Sequence, residues 1–490
     1  MDDLKQKAVR GAFAKAWSQM ILAVLRIGSL MVLARLLTPR DFGLVAMVTV
    51  VTGIFGLFLD AGLSLVTVQR PNISRDQVST LFWANVLVGA ILSLLTLIAA
   101  PIMVAFYHES RLLWIAIALS AGFLINATGV QHAALLQRQM RFTVLALIEI
   151  LAYLSSSIIG IAMAIGGLGY WSLVAMAIVP TIVSTVGFWL ASAWVPGRPR
   201  RHVGARSMLS FGGQVTLSGI IIYYSLNLDK VLLGRYWGTE ALGIYGRAYQ
   251  LISIPRDYVG SAVGNVAVAS LSRLHAEPAR FKSYFLKGYS LMLALLLPIT
   301  FTTALFADEI ILFFLGPTWK DAALILRLLT PTILVIGLFS PLRWFLYAMG
   351  RIGRSLKISL VLAPLVTAAY FIGLPHGPRG VALAFSSLMM IWIIPNIFWS
   401  IHGTMVSLRD VLRTTGRPIV SVLTATALAV GLKVLVGGSL SSFVRLVLGA
   451  AVLFAVHFGM LLFVMRQKDF YLGLLHSLRK KSPLPADPQV

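Results

Sequence analysis

The chain contains no cysteine. Disulfides, thiolate metal sites and thiol catalysis are therefore excluded, while the compartment stays open. Charge is scarce: 12% of residues are Asp, Glu, Lys or Arg, against roughly 25% in ordinary soluble domains. Acids are scarcer still, 17 against 41 basic residues, for a formal net charge of +24. The basic residues fall in short clusters between apolar runs and form no basic domain, so no nucleic-acid partner is expected. The eight histidines are scattered without zinc-site spacing, so no metal and no cofactor is expected. There is no G-x-x-x-x-G-K-S/T phosphate loop, no G-x-S-x-G elbow and no H-E-x-x-H helix. No residue is assigned a catalytic role, and the chain is not read as an enzyme. No connecting segment exceeds about twenty residues, so all chemistry must take place within or at the edge of the apolar runs.

What fills the chain instead is hydrocarbon. Of 490 residues 58% are hydrophobic, and the mean hydropathy is +0.87. A membrane-crossing helix needs about 20 predominantly apolar residues. That window predicts about fourteen helices, at roughly 12–37, 42–67, 78–107, 112–136, 142–166, 168–194, 208–234, 241–268, 283–307, 322–348, 355–374, 380–403, 418–436 and 442–465. The expected fold class is an all-α polytopic membrane protein. The N-terminal MDDLKQKAVRGAFAKAW precedes a run too long for a signal peptide and without an A-x-A-like cleavage site, so it reads as a retained anchor.

Alternate loops differ in charge. About twenty-five Lys and Arg lie on the side of the N-terminus, among them Lys5, Arg70, Arg138, Arg200, Arg280, Arg354, Arg413 and Lys480; about seven lie opposite, mixed with acids. By the positive-inside rule both termini are expected in the cytoplasm, with an even number of spans and a cytoplasmic tail over 467–490.

Sliding the chain by 200 positions aligns LARLLTPRDFGLVA (33–46) with LGRYWGTEALGIYG (233–246), so that Leu33, Arg35 and Gly43 coincide with Leu233, Arg235 and Gly243. Six predicted helices separate the copies. The expected organisation is a six-helix lobe over 1–200, a second over 201–405 and two additional helices over 406–466. The two pseudo-symmetric lobes would surround a central cavity, the plan of transporters built from parallel repeats.

Several charges interrupt the apolar runs. Arg26 sits mid-way along SQMILAVLRIGSLMVLARLL, where an arginine costs about 2.5–3.5 kcal/mol to insert. The eighth run adds Arg256, directly after Pro255, and Arg247. Tyr249 and Arg256, seven apart, share a helix face; Arg247 lies on the other side with Gln250 and Tyr258. Asp60, Asp229 and Lys230 are candidates for ion pairing or coupling. A structural pairing of Arg26 and Arg256 with Asp60 or Asp257 stands against a cationic cavity for an anionic substrate. For the latter, arginine's planar fork suits phosphate. Lys433, near a helix end, is expected to snorkel.

The stretches LARLLTPRDFGLVAMVTV, STLFWANVLVGAIL, NLDKVLLGRYWGTEALGIYGRAYQL and FFLGPTW resemble the polysaccharide-transporter family of bacterial lipid-linked oligosaccharide flippases. These are Wzx-type proteins, nearest the colanic-acid exporter branch, within the multidrug/oligosaccharidyl-lipid/polysaccharide exporter superfamily. The resemblance implies a two-lobed bundle in the bacterial inner membrane. It would carry undecaprenyl-pyrophosphate-linked repeat units to the outer leaflet by alternating access, for lipopolysaccharide or exopolysaccharide synthesis. Cavity arginines of the family match Arg26 and Arg256 first and Arg247 next, with Tyr249 and Gln250 beside them. Implied partners are the lipid-linked oligosaccharide, membrane lipids, a polysaccharide polymerase and a chain-length regulator. The alternatives are an ion-coupled drug exporter of the same superfamily, expected to line its cavity with acids and aromatics, and an integral-membrane polymerase or glycosyltransferase, expected to carry a sizeable external loop.

Overall fold

The computed structural model describes residues 2–59, 63–70, 73–199, 205–274, 277–436 and 440–465. Asp60 and the tail over 467–490 lie outside them. Among the described residues all regular structure is helical. In chain order the α-helices are α1 (Asp2–Leu36), α2 (Pro39–Gly56), α3 (Leu63–Gln69), α4 (Arg75–Tyr107), α5 (Leu112–Arg138) and α6 (Phe142–Ile165). Next come α7 (Trp171–Ser192), α8 (Ala205–Arg273), α9 (Pro278–Leu305), α10 (Ala307–Phe314), α11 (Asp321–Leu329) and α12 (Pro331–Ala348). The last are α13 (Ile352–Gly373), α14 (Gly377–Ile391), α15 (Ile393–Ile401), α16 (Leu408–Val436) and α17 (Ser442–Gly459).

Among the described residues eleven stretches are long and apolar enough to cross a membrane. One, Ile352–Ile401, is 50 residues long and holds two spans, divided between Gly373 and Gly377. A further two lie in α8, whose 69 residues would reach about 100 Å as one rod, three times the hydrocarbon thickness. Gly238 breaks it with φ 81° and ψ −174°, a conformation open to glycine because no Cβ meets the neighbouring carbonyl. Among the described residues helix covers the expected spans except the second, in which α2 stops at Gly56, the chain turns over 57–59, and α3 occupies Leu63–Gln69.

Local sequence explains how several spans start. Thr38 caps α2: its side chain accepts from the Asp41 N–H, while Asp41 Oδ2 accepts from the Thr38 N–H at 3.0 Å. Pro39 occupies the first turn, where no N–H is needed. Ser74 and Gln77 form the same reciprocal cap on α4. Of the prolines within runs, Pro180, Pro255, Pro298, Pro341 and Pro364 lie inside helices, whereas Pro331 opens α12 and marks its separation from α11.

The chain groups into two compact units. The first holds Met1–Arg247, Phe314–Ala322 and Ser359–Ala384; the second holds Ala248–Phe313, Ala323–Ile358 and Phe385–Val490. In the first, α4 packs on α5, α6 on α7 and α1 on α6. It also contains a backbone seam between the segments 33–46 and 233–246 that align in sequence. A Cβ on Gly43 would lie 1.7 Å from the Thr239 carbonyl oxygen, and one on Gly243 would lie 1.9 Å from that of Pro39. Adding 200 to one contact gives the other: residue 43 meets 239 and residue 243 meets 39. The two glycines aligned by sequence are thus the residues at which the copies touch through main chain alone. In the second unit the core is aromatic and aliphatic, with Phe281, Phe285, Tyr289, Phe345 and Leu453 buried together. Many large apolar side chains point outward, Leu190 at 78% and Leu435 at 86% exposure among them, as suits helices with lipid for solvent.

Candidate functional site

In the first unit Arg26 projects from α1 toward α6. Its guanidinium carbon lies 5.7 Å from the centre of the Tyr153 ring, and the Tyr153 hydroxyl is 3.4 Å from Ser29 Oγ one turn on. The side chain is exposed, and among the described residues no carboxylate pairs with it. Asp60, the partner considered from sequence, lies outside those residues. An exposed guanidinium against an aromatic face retains its outward N–H donors for another group.

Arg247, on the segment 239–273, has its guanidinium carbon 4.6 Å above the Phe42 ring. Its Nε is buried and without a hydrogen-bond partner among the described residues. The same holds for Gln250 Oε1 and for the Tyr258 hydroxyl. Residues 247, 250 and 258 recur at three and eight, so the three unsatisfied groups line one face of one helix. Leaving such a group unpaired costs about 1–3 kcal/mol each, more for a charged one. Arg247 belongs to the first unit and Gln250 and Tyr258 to the second; in each unit an unsatisfied buried group of this kind suits a polar occupant, water or ligand.

Arg256 is differently placed. Its Nε is 2.8 Å from Asp257 Oδ1, with the arginine side chain 14% and the aspartate 64% exposed. It also lies 5.8 Å from the Tyr249 ring centre, so these two do share a face. The adjacent carboxylate neutralises part of its charge, which places Arg256 with the structural alternative considered from sequence.

Asp229 is fully buried. It accepts from the Tyr245 hydroxyl at 2.7 Å and from the Lys230 N–H at 2.8 Å, while Lys230 Nζ donates to Asn227 Oδ1 at 2.8 Å. These contacts make a local polar knot at the Asn227–Lys230 turn of α8. Lys433, expected to snorkel, has partners within the protein. It donates to the Leu305 carbonyl at 2.7 Å and pairs with buried Glu309 at 3.2 Å, tying α16 to the helices of its own unit.

Sequence reading missed a third polar group. Asn85 on α4 and Gln131 and His132 on α5 are fully buried, with both Asn85 amide atoms, Gln131 Nε2 and His132 Nε2 unpartnered. His132 Nδ1 meets Ser192 Oγ at 2.8 Å, and its ring is enclosed by Phe82, Trp189 and Trp194. Amides and a histidine in apolar helices were the available signal, but nothing in their spacing tied α4 to α5. Among the described residues no cluster of His, Cys, Asp or Glu could hold a metal ion.

The family described as polysaccharide biosynthesis protein matches residues 32–324. The chain is 28% identical over 364 residues to the teichuronic acid biosynthesis protein TuaB of Bacillus subtilis, covering 72% of this chain and 73% of that one. It is 24% identical over 402 residues to the lipopolysaccharide biosynthesis protein WzxC of Escherichia coli, covering 81% of each. Among solved structures, the lipid II flippase MurJ in an inward closed conformation superposes with a TM-score of 0.73 at 14% identity, covering 95% of this chain and 100% of that one. At that identity the likeness establishes the fold.

Proposed function

Since the chain belongs to the polysaccharide biosynthesis protein family, we propose that it exports lipid-linked oligosaccharide repeat units across the bacterial inner membrane by alternating access. The cargo would be an undecaprenyl-pyrophosphate-linked unit destined for lipopolysaccharide or exopolysaccharide. The observation that carries the reading lies in the first unit: Arg247 Nε is buried and unsatisfied, and Arg26 meets no carboxylate among the described residues. Arg26 and Arg247, both in the first unit, are the groups proposed to hold the diphosphate; Gln250 and Tyr258, in the second, are proposed as polar contacts for cargo. Tyr249 and Arg256 would flank them, with Asp229 and Lys230 holding the helix turn. Asp60 stays a proposed coupling acid.

The physical need is clear. A pyrophosphate bearing a sugar head cannot cross about 30 Å of hydrocarbon unaided, because removing one charge from water costs several kcal/mol. Guanidinium and amide groups replace part of the lost hydration. The loop charges support placing both termini in the cytoplasm. A polymerase and a chain-length regulator are the proteins proposed to receive the flipped unit. A drug exporter of the same fold would need acids where this chain carries arginines, and a catalytic role has no constellation of residues behind it.

Depletion of the protein in a strain making surface polysaccharide tests the reading. The lipid-linked unit should accumulate in the cytoplasmic leaflet. Accumulation of single units in the outer leaflet would instead assign the chain to polymerisation.

A further inference from the structure

Helix α16 opens with arginine at every fourth position: Arg409, Arg413 and Arg417. That spacing sets them on one face, and all three are exposed. Like charges four apart on a helix repel, so the row is unfavourable unless an anion meets it. The nearest carboxylate is engaged elsewhere. Asp410 Oδ2 is 2.6 Å from Lys282 Nζ and accepts from Ser407 Oγ at 2.6 Å. Among the described residues no carboxylate reaches Arg413 or Arg417.

These two arginines border an open groove of about 660 Å³ lined, among the described residues, also by Gly416, Val420, Val464 and Met465. Val464 and Met465 come from the end of the last helix, where α17 passes into a π-helical turn, Met460–Val464, with the Met465 N–H donating to the Met460 carbonyl at 2.8 Å. Single π turns frequently accompany functional sites. All of these residues belong to the second compact unit. The groove therefore offers two unneutralised guanidinium groups at one end and an outward-facing apolar wall at the other, with Val420 53% and Val464 70% exposed.

Planar donors for a phosphate beside a wall for hydrocarbon describe one kind of ligand. We propose that the groove between α16 and the π turn binds an anionic glycerophospholipid, its phosphate on Arg413 and Arg417 and an acyl chain along Val420 and Val464. Basic pockets between membrane helices take such headgroups, and arginine grips a phosphate through parallel hydrogen bonds. The chain's own C-terminal residues are a poor occupant. Arg466, Lys468, Arg479, Lys480 and Lys481 outnumber Asp469 and Asp487 there, so that segment would be repelled by the row. The site is independent of which cargo the protein carries.

The full-length protein, purified in mild detergent, is incubated with phosphatidylglycerol or with phosphatidylcholine. Retained lipid is counted by native mass spectrometry, and the thermal midpoint is read in parallel. Wild type should retain phosphatidylglycerol and gain in midpoint with it, and not with phosphatidylcholine. R413A/R417A should lose roughly tenfold or more of that retention while keeping its midpoint in phosphatidylcholine, and R413K/R417K should fall between. Val464→Trp, which leaves both arginines in place and fills the groove, should show the same loss and covers the case in which the double alanine variant does not fold. Wild-type retention in the alanine and tryptophan variants, equal stabilisation by phosphatidylcholine, or displacement of phosphatidylglycerol by an equimolar polyprenyl phosphate would each overturn the assignment, the last by giving the groove to the cargo lipid.

Discussion

Arg26 and Arg247 each rest on an aromatic ring and meet no carboxylate among the described residues, whereas Arg256 holds Asp257 at 2.8 Å. Equal substitutions should therefore have unequal effects. A hydrogen bond to a charged group contributes about 1.5–3 kcal/mol, so Arg26→Ala or Arg247→Ala should lower export about tenfold or more with insertion intact. Arg→Lys should keep part of the activity, because one charge survives without the fork. Arg256→Ala should cost less, since its charge is already shared. Export measured as surface polysaccharide, with membrane insertion checked by blot, separates these cases; normal polysaccharide from both Arg26→Ala and Arg247→Ala would remove the arginines from cargo binding. A second residue-scale expectation concerns pH. Hydrogen bonds from Arg111, at 2.8 Å to each oxygen, hold the Glu109 carboxyl below its usual range, with Arg40 adding attraction from 3.7 Å. A depressed carboxyl stabilises the fold above its unfolded pKa of about 4.3 and loses that contribution as pH falls through the lower folded value. The pair is partly exposed, so Glu109→Gln should cost only about 0.2–1 kcal/mol at pH 7, a cost that shrinks as pH falls through the lowered folded value. Thermal midpoints of the two proteins, compared across that range, should converge at the acid end.

At the scale of elements, the seam between the repeat copies is the most sensitive contact. A methyl group on Gly43 or Gly243 has carbonyl oxygen within 2 Å, so the backbones must part. Overpacking of this kind costs about 1–3 kcal/mol, and Gly43→Ala and Gly243→Ala should lower the thermal midpoint by similar amounts because their surroundings interchange. Thr38→Ala should cost about 0.5–2 kcal/mol through loss of the α2 cap. A Gly43→Ala protein as stable as wild type would contradict the close approach of these backbones. The spans themselves were legible because hydrophobic runs of bilayer length have few other uses. The interruption between α2 and α3 was not, since Gly56 and its neighbours remain apolar enough to pass a hydropathy window. The π turn at Met460–Val464 left no trace either, because it changes the hydrogen-bonding register and not the composition.

For the whole molecule, membership of the polysaccharide biosynthesis protein family is what the matched residues 32–324 establish. The candidate site was half legible. Arginine within an apolar run announces itself, and seven-residue spacing joined Tyr249 to Arg256 correctly. The partners Tyr153 and Phe42 were not foreseeable, because aromatic residues are common in such helices and only packing decides which ring meets a guanidinium. The Lys433–Glu309 pair joins residues 124 apart for the same reason.

The contacts at 39, 43, 239 and 243 are reciprocal. Patches that interchange in this way have the complementarity of an isologous interface, in which one surface is its own counterpart. Any side chain larger than hydrogen on either side of this seam therefore meets the same obstacle, a main-chain carbonyl that has no rotamer in which to move aside.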